Sequence, residues 1–120
     1  MLFRSAAGAS RCALAQGKYW QMHDAMFADQ SKLDEAALVE TAASLGMNQQ
    51  SFESCLQSGK YKQAVEQDVQ AGSRAGVNAT PTFFINGEFL SAVKSDIDLT
   101  VVIDRQLSSF ASKSSTQASR

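Results

Sequence analysis

The chain has 120 residues, of which 44% are hydrophobic and 19% are charged, a composition ordinary for a single globular domain. Its formal net charge is −1, from 11 basic and 12 acidic residues, so no excess positive charge is present to attract nucleic acid or an anionic membrane. No apolar run in the sequence approaches the length that spans a bilayer. We therefore predict neither a nucleic-acid partner nor a membrane span.

The first predicted helix covers about residues 5–27. The first 15 residues lack acidic side chains, as some targeting peptides do. Their apolar stretches are short and interrupted by Arg4 and Arg11, so we predict a helix there and no signal peptide. Apolar residues recur at roughly helical spacing as far as Phe27. Gly17 lies inside this segment and is the point at which the helix could kink or split.

Three more helices are predicted before the first strand. Asp34 is a typical N-cap for the second helix, which is expected to end at Gly46. Asn48 is expected to cap a third helix that ends at Gly59. A fourth helix follows and ends near Gly76. The N-terminal part of the chain is therefore expected to be helical throughout.

A β-hairpin is predicted after the fourth helix. Pro81, the only proline, precedes a strand over Thr82–Ile85, and proline is tolerated at the start of a strand but not inside one. The Asn-Gly pair at 86–87 is a strong two-residue turn signal, and the return strand covers 88–90. An X-Pro bond can be cis at modest cost. Such a bend would leave the main chain of Thr80 free to meet a partner peptide.

A last helix follows the hairpin, with Ser95 or Asp96 as its N-cap. Its apolar stripe follows helical spacing and consists of Leu99, Val102, Ile103, Gln106, Leu107 and Phe110. Residues 111–120 are polar and rich in serine, and we predict that they are disordered. The fold class expected is α+β, with about four helices, a hairpin and a C-terminal helix. A hairpin alone is marginal in water and needs further structure against it.

Several segments resemble DsbA-like thiol:disulfide oxidoreductases of the thioredoxin superfamily. Residues 11–27, Arg-Cys-Ala-Leu-Ala-Gln-Gly-Lys-Tyr-Trp-Gln-Met-His-Asp-Ala-Met-Phe, are similar to the first inserted helix of that family. Residues 76–87, Gly-Val-Asn-Ala-Thr-Pro-Thr-Phe-Phe-Ile-Asn-Gly, are similar to its cis-proline loop and hairpin. Residues 45–56 and 99–107 resemble later parts of the same fold. The resemblance covers about residues 5–110.

The resemblance implies an incomplete thioredoxin-like fold. It assigns residues 1–76 to a helical insertion, 77–110 to the cis-proline loop, hairpin and C-terminal helix, and 111–120 to a tail. Family members begin with strands and a helix that starts at a CxxC pair, whereas this chain begins where the insertion begins and has no CxxC. We therefore expect this chain to be the C-terminal part of a protein that forms or isomerises disulfide bonds. By itself, the chain is expected to be inactive or incomplete. The resemblance also suggests a periplasmic or extracytoplasmic location.

The two cysteines, Cys12 and Cys55, are far apart in the sequence and lie in no zinc-type or dithiol motif. They could be two small core residues, because free cysteine is among the most buried residue types. They could form a structural disulfide, as in an oxidising compartment, and a second cysteine pair in the helical insertion of some DsbA-like relatives favours this alternative. They could also be a catalytic or redox-sensing pair. No residue is predicted to be catalytic.

His23 is the only histidine, and together with the two cysteines it would supply three possible metal ligands. Nothing in the spacing supports a metal site, so neither a metal nor another cofactor is predicted. His23 is expected to be hydrogen-bonded locally on a helix face. Its apolar neighbours are expected in the core: Trp20, Met22, Met26 and Phe27.

Two functions from different classes follow for the Pro81 bend. By the resemblance, Thr80 and Pro81 bind an extended peptide or protein substrate of an oxidoreductase; the alternative without a partner is a tight turn into a strand. The second function is a non-catalytic module that binds peptides, or a second copy of itself, along the strand Thr82–Ile85. In the family fold this strand pairs with the active-site strand, so its edge is expected to be open here and to drive self-association.

Overall fold

The computed structural model describes residues 2–118. In chain order, these residues form the helices and strands α1 (Leu2–Leu14), α2 (Tyr19–Ala28), α3 (Glu35–Ser44), α4 (Gln49–Ser58), α5 (Lys62–Arg74), β1 (Thr82–Ile85), β2 (Glu88–Ser91) and α6 (Asp96–Ala118). Helices before and after one antiparallel pair of strands confirm the predicted α+β fold class.

The first predicted helix is two helices, so five helices and not four precede the hairpin. The break lies between α1 and α2, where Gly17 has φ of 71°. That left-handed conformation is open to glycine and costly for most other residues. The backbone amides of Gln16 and Lys18 both donate to the carbonyl of Ala13, at 3.0 and 2.9 Å, which closes the end of α1. The predicted segment therefore splits at Gly17, the residue where the sequence allowed a kink or a split.

The predicted caps of α3 and α4 are present. The Asp34 side chain accepts a hydrogen bond from the backbone amide of Ala37 at 3.1 Å, and the Asn48 side chain accepts one from that of Ser51 at 2.8 Å. Asn48 is held from a second direction, because the side-chain amide of Gln16 donates to its carbonyl and accepts from its backbone amide, at 3.2 and 2.8 Å. The start of α4 is thus fixed both locally and by the turn after α1.

The chain divides into two compact units, Met1–Ala71 and Gly72–Arg120. The boundary falls within α5, ahead of the division expected after residue 76. The assignment of these regions to a helical insertion and the remainder of a thioredoxin-like domain stays a prediction.

The first unit is built on one hydrophobic core shared by α1, α2, α3 and α4. Its largest fully buried side chains are Met22, Leu38 and Phe52. The other buried members are Ala9, Cys12, Ala13, Leu33, Val39, Ala42 and Met47. Buried apolar area of this kind supplies most of the stability of a small domain, at about 25 cal/mol per Å².

The second unit is the hairpin with α6. Asn86 and Gly87 have φ of 49° and 84°, as a two-residue type I′ turn requires. The strands pair from Ile85 opposite Glu88 to Thr82 opposite Ser91. The predicted hairpin is therefore present, with its second strand one residue longer than expected.

One face of the hairpin packs on α6. Arg105 and Gln106 of α6 both hydrogen-bond to the Glu88 carboxylate, and the Asn86 side chain bonds to Gln106 at 3.4 Å. Val102 is buried. These contacts fix which face of the hairpin the helix covers.

The predicted disorder of residues 111–120 is not found over the described part of that segment, because α6 continues to Ala118. Hydroxyl groups stay within the helix: Ser115 donates to the carbonyl of Ala111 and Thr116 to that of Ser112, both at 3.1 Å. Bonding back to the preceding turn lets serine and threonine remain helical. Residues 119 and 120 lie outside the described part of the chain.

Substituting Asn48→Ala should lower the free energy of unfolding by about 1 kcal/mol, because the α4 cap is lost. The measurement is urea denaturation followed by far-UV circular dichroism. Gln50→Ala is the matched control, since Gln50 is exposed in the same turn and should change stability by less than about 0.5 kcal/mol. Equal losses in the two variants would contradict the capping role.

Candidate functional site

The Thr80–Pro81 bend lies at the surface of the protein. The peptide bond between the two residues is cis, and both residues are exposed. Neighbouring groups hold the bend on each side: the Thr82 hydroxyl donates to the Ala79 carbonyl at 2.6 Å, and the Val93 amide donates to the Pro81 carbonyl at 3.3 Å. Within residues 2–118, no hydrogen bond is made to the main chain of Thr80. Its amide and carbonyl are therefore available to an incoming chain.

The open edge of β1 continues this main-chain surface. In the described residues, β1 pairs only with β2. The turn makes Ile85 and Glu88 a hydrogen-bonded pair, so the next pair, Phe84 and Phe89, is a non-hydrogen-bonded one. The amide and carbonyl of Phe84 thus point away from β2, and those of Thr82 do the same two residues earlier.

An aromatic pair covers the hairpin face opposite α6. The rings of Phe84 and Phe89 lie 5.2 Å apart, and the two residues are 51% and 44% exposed. They alternate with Glu88, which faces α6, and so belong to the other face of the sheet. The bend and β1 together therefore offer free hydrogen-bonding groups beside an apolar surface.

Cys12 and Cys55 form a disulfide with a Cα–Cα distance of 6.0 Å. It joins α1 to α4 across 43 residues of sequence. Cys12 belongs to the buried core, with 2% exposure, and Cys55 is half-buried against that core. Of the alternatives open from the sequence, the structure has the disulfide. Neither is a free thiol.

The ring contacts and the hydrogen bond of His23 involve its neighbours on α2 and neither of the two cysteines. Its ring contacts Trp20 and Phe27, with centroids 5.2 and 4.7 Å apart, and Nδ1 lies 3.0 Å from Asp24 Oδ1. Among the side chains that the structure describes, no three His, Cys, Asp or Glu residues are grouped as metal ligands. The local hydrogen bond expected for His23 is thus present.

Four residues of α2 were expected in the core, and the expectation was wrong for two of them, Trp20 and Phe27. Met22 is fully buried, but Trp20 and Phe27 are 67% and 66% exposed. The physical reason is helical spacing: residues seven apart share a face, and Met22 lies on the opposite one. The signal was in the sequence, because an aromatic–His–aromatic row at i, i+3 and i+7 defines one side of a helix.

A family model described as Thioredoxin matches residues 4–105. The chain belongs to the thioredoxin family. Its general functional class is therefore that of proteins related to thiol:disulfide oxidoreductases. In residues 2–118, each helix is too short or too polar to cross a bilayer.

Curated relatives of this thioredoxin-family chain carry the name of Na(+)/H(+) antiporters. The protein NhaA 3 of Salinispora tropica is 38% identical over 82 residues, which is 68% of this chain and 13% of that protein. NhaA of Herminiimonas arsenicoxydans is 34% identical over 99 residues, 82% of this chain and 16% of that protein. The chain thus spans less than a fifth of the length of these relatives. No solved structure matches the chain significantly.

Reduction of the Cys12–Cys55 bond should destabilise the first unit. Cross-linking residues 43 apart removes chain entropy from the unfolded state worth about 4 kcal/mol, and reduction returns that entropy. The measurement compares urea midpoints with and without dithiothreitol. The double variant Cys12→Ala/Cys55→Ala is the control, and its midpoint should not respond to reductant. A midpoint of the natural chain that is equally unresponsive would show that the bond carries no stability.

Proposed function

We propose that this chain is the substrate-binding part of a DsbA-like thiol:disulfide oxidoreductase, in which Thr80 and Pro81 face an extended polypeptide. The observation that carries this proposal is that Thr80, an exposed residue before β1, makes no main-chain hydrogen bond to the described residues. The resemblance of residues 76–87 to the cis-proline loop of that family supports it.

The binding mode would be strand addition. An extended peptide pairs its amides and carbonyls with those of Thr80, and then with the outward-facing groups of Thr82 and Phe84. Such pairing reads the backbone of the partner and tolerates many sequences, which suits an enzyme that acts on unfolded proteins. The exposed ring of Phe84 adds an apolar contact beside the hydrogen bonds.

The exchange of disulfides with the bound polypeptide would depend on a thiol that this sequence does not contain. Exchange needs an accessible thiolate of low pKa and a second thiol to resolve the mixed disulfide. A helix N-terminus stabilises such a thiolate, but Cys12 lies near the C-terminal end of α1 and Cys55 in the second half of α4. Both are also already bonded to each other. The contribution of this chain is therefore to hold the substrate.

The similarity to antiporters is consistent with this proposal. It covers 13% of the Salinispora tropica protein, and the region of this chain matched by the family model is thioredoxin-like. We infer that the shared segment is a thioredoxin-like one and that ion transport does not come with it.

Thr80→Pro should weaken peptide binding about fivefold, because it removes one main-chain donor worth about 1 kcal/mol. The measurement is fluorescence anisotropy of a labelled, extended peptide rich in valine and threonine. Thr80→Val is the matched control, since it removes the hydroxyl and keeps the amide, and its affinity should be unchanged.

A probe peptide N-methylated at alternate residues supplies a readout that does not depend on the fold of the variants. It should lose affinity for the natural chain when the methyl groups fall on the paired edge, and keep it when they fall on the other edge. Equal binding by Thr80→Pro and Thr80→Val, or by both methylated probes, would refute strand addition at this site.

A second candidate function is self-association through the same edge. It is favoured by the composition of β1, which is Thr-Phe-Phe-Ile without a charged residue, because charges on an edge strand normally discourage pairing with another chain. Two copies of β1 could pair antiparallel about a two-fold axis. Phe84 of each copy would then lie on a continuous apolar face.

Phe84→Lys should shift any dimer to monomer, because it places a charge at the centre of the pairing strands. Sedimentation velocity across a range of protein concentrations measures the shift. Phe110→Lys is the control, since Phe110 is even more exposed but lies on α6. A natural chain that remains monomeric at the highest concentration would rule out this second candidate.

A further inference from the structure

The disulfide borders a cleft in the first unit. The cleft has a volume of about 360 Å³, within the range of sites for small ligands. Both Cys12 and Cys55 line it, and its apolar walls include Leu56, Tyr61 and Val65. The sulfur–sulfur bond is therefore not sealed inside the core but lies beside a space that a small molecule can enter.

Four charged residues line the same cleft; two of them form an ion pair with each other and two do not. Arg4 and Glu66 neutralise each other in an ion pair at 2.8 Å. Lys62 and Glu35 also line the cleft, and neither forms an ion pair with any residue in the described part of the chain. One positive and one negative group thus remain to meet charges of opposite sign on a ligand.

We propose that this cleft is a thiol-exchange site, which accepts a small zwitterionic thiol such as an amino acid or short peptide that contains cysteine. The carboxylate of the ligand meets the Lys62 ammonium, its amino group meets the Glu35 carboxylate, and its sulfur reaches the disulfide. The site is separate from the Thr80 main chain and independent of the function proposed there.

The step is a simple exchange. The ligand thiol releases its proton to solvent, and the thiolate attacks Cys55 Sγ, where a new sulfur–sulfur bond forms. The bond between Cys55 and Cys12 breaks, and its electron pair stays on Cys12 Sγ, which takes up a proton. One thiol and one disulfide are present before and after, so no oxidant or reductant is consumed.

Burial decides which sulfur is attacked. Cys55 is half-buried, whereas Cys12 is 2% exposed, so an incoming thiolate reaches Cys55. Cys12 then stays in the apolar core. Because Cys12 remains beside Cys55, it can expel the ligand again, and the adduct exists in equilibrium with the free ligand. The adduct is therefore favoured only by an excess of thiol.

The test uses the full chain under native conditions with an excess of L-cysteine, followed by an acid quench, pepsin digestion and mass spectrometry. The expected product carries the ligand on Cys55 and a free thiol on Cys12. An adduct on Cys12, an adduct that forms only in denaturant, or no adduct at all would overturn the proposal.

Charge variants separate a specific site from simple accessibility. Lys62→Glu should slow exchange with 3-mercaptopropionate, an anionic thiol, about threefold to tenfold at low salt, and Glu35→Lys should slow exchange with cationic cysteamine by a similar factor. Both variants should react with neutral 2-mercaptoethanol as the natural chain does, and both should slow exchange with L-cysteine.

Lys18→Glu is the control matched to Lys62→Glu. It makes the same change of charge in the same unit, at a residue that does not line the cleft. It should leave every rate within about twofold of that of the natural chain. The assignment of the ligand class would be overturned if Lys62→Glu and Glu35→Lys left the rates with the charged thiols unchanged. It would also be overturned if Lys18→Glu changed those rates equally.

Discussion

The bond between Cys12 and Cys55 is the constraint on which the first unit depends. It joins α1 to α4 and closes a loop that contains all of α2 and α3. Within that loop, Phe52 and Leu38 complete the core. A unit of about seventy residues buries a limited apolar area, so a covalent link contributes a large part of a small net stability. The same disulfide lies beside an open cleft. In the proposed exchange, a small thiol therefore reaches a bond that also stabilises the fold.

In the second unit, α6 packs against one face of the two-stranded sheet and leaves the other face uncovered. One face is fixed by α6 through Glu88, while the other shows the Phe84–Phe89 pair. Two strands with one helix leave backbone groups and aromatic rings exposed at once. Exposed groups of these two kinds, side by side, are what a protein needs to hold an extended polypeptide without reading its sequence. The two proposed functions, peptide binding and self-association, would therefore use the same strand edge.

Elements governed by local chemistry were predictable from the sequence. The caps at Asp34 and Asn48 and the Asn-Gly turn depend on residues within a few positions of each other, and the structure has all three. The Thr80–Pro81 bend was predictable for the same reason, because a proline directly before a strand is a local signal. The pairing of Cys12 with Cys55 was left open, because a distance across two helices is a property of packing. The exposure of Trp20 was missed because a hydrophobic residue was equated with a core residue, although its helical face differs from that of the buried Met22.

The distribution of aromatic residues gives the chain an optical asymmetry. Its one tryptophan, Trp20, and its two tyrosines, Tyr19 and Tyr61, all belong to the first unit, whereas the hairpin and α6 contain only phenylalanine among the aromatic types. Intrinsic emission excited in the tryptophan and tyrosine bands consequently reports on the first unit alone. An unfolding curve recorded that way is silent about the hairpin, and comparison with an amide-backbone signal would reveal whether the two halves melt together.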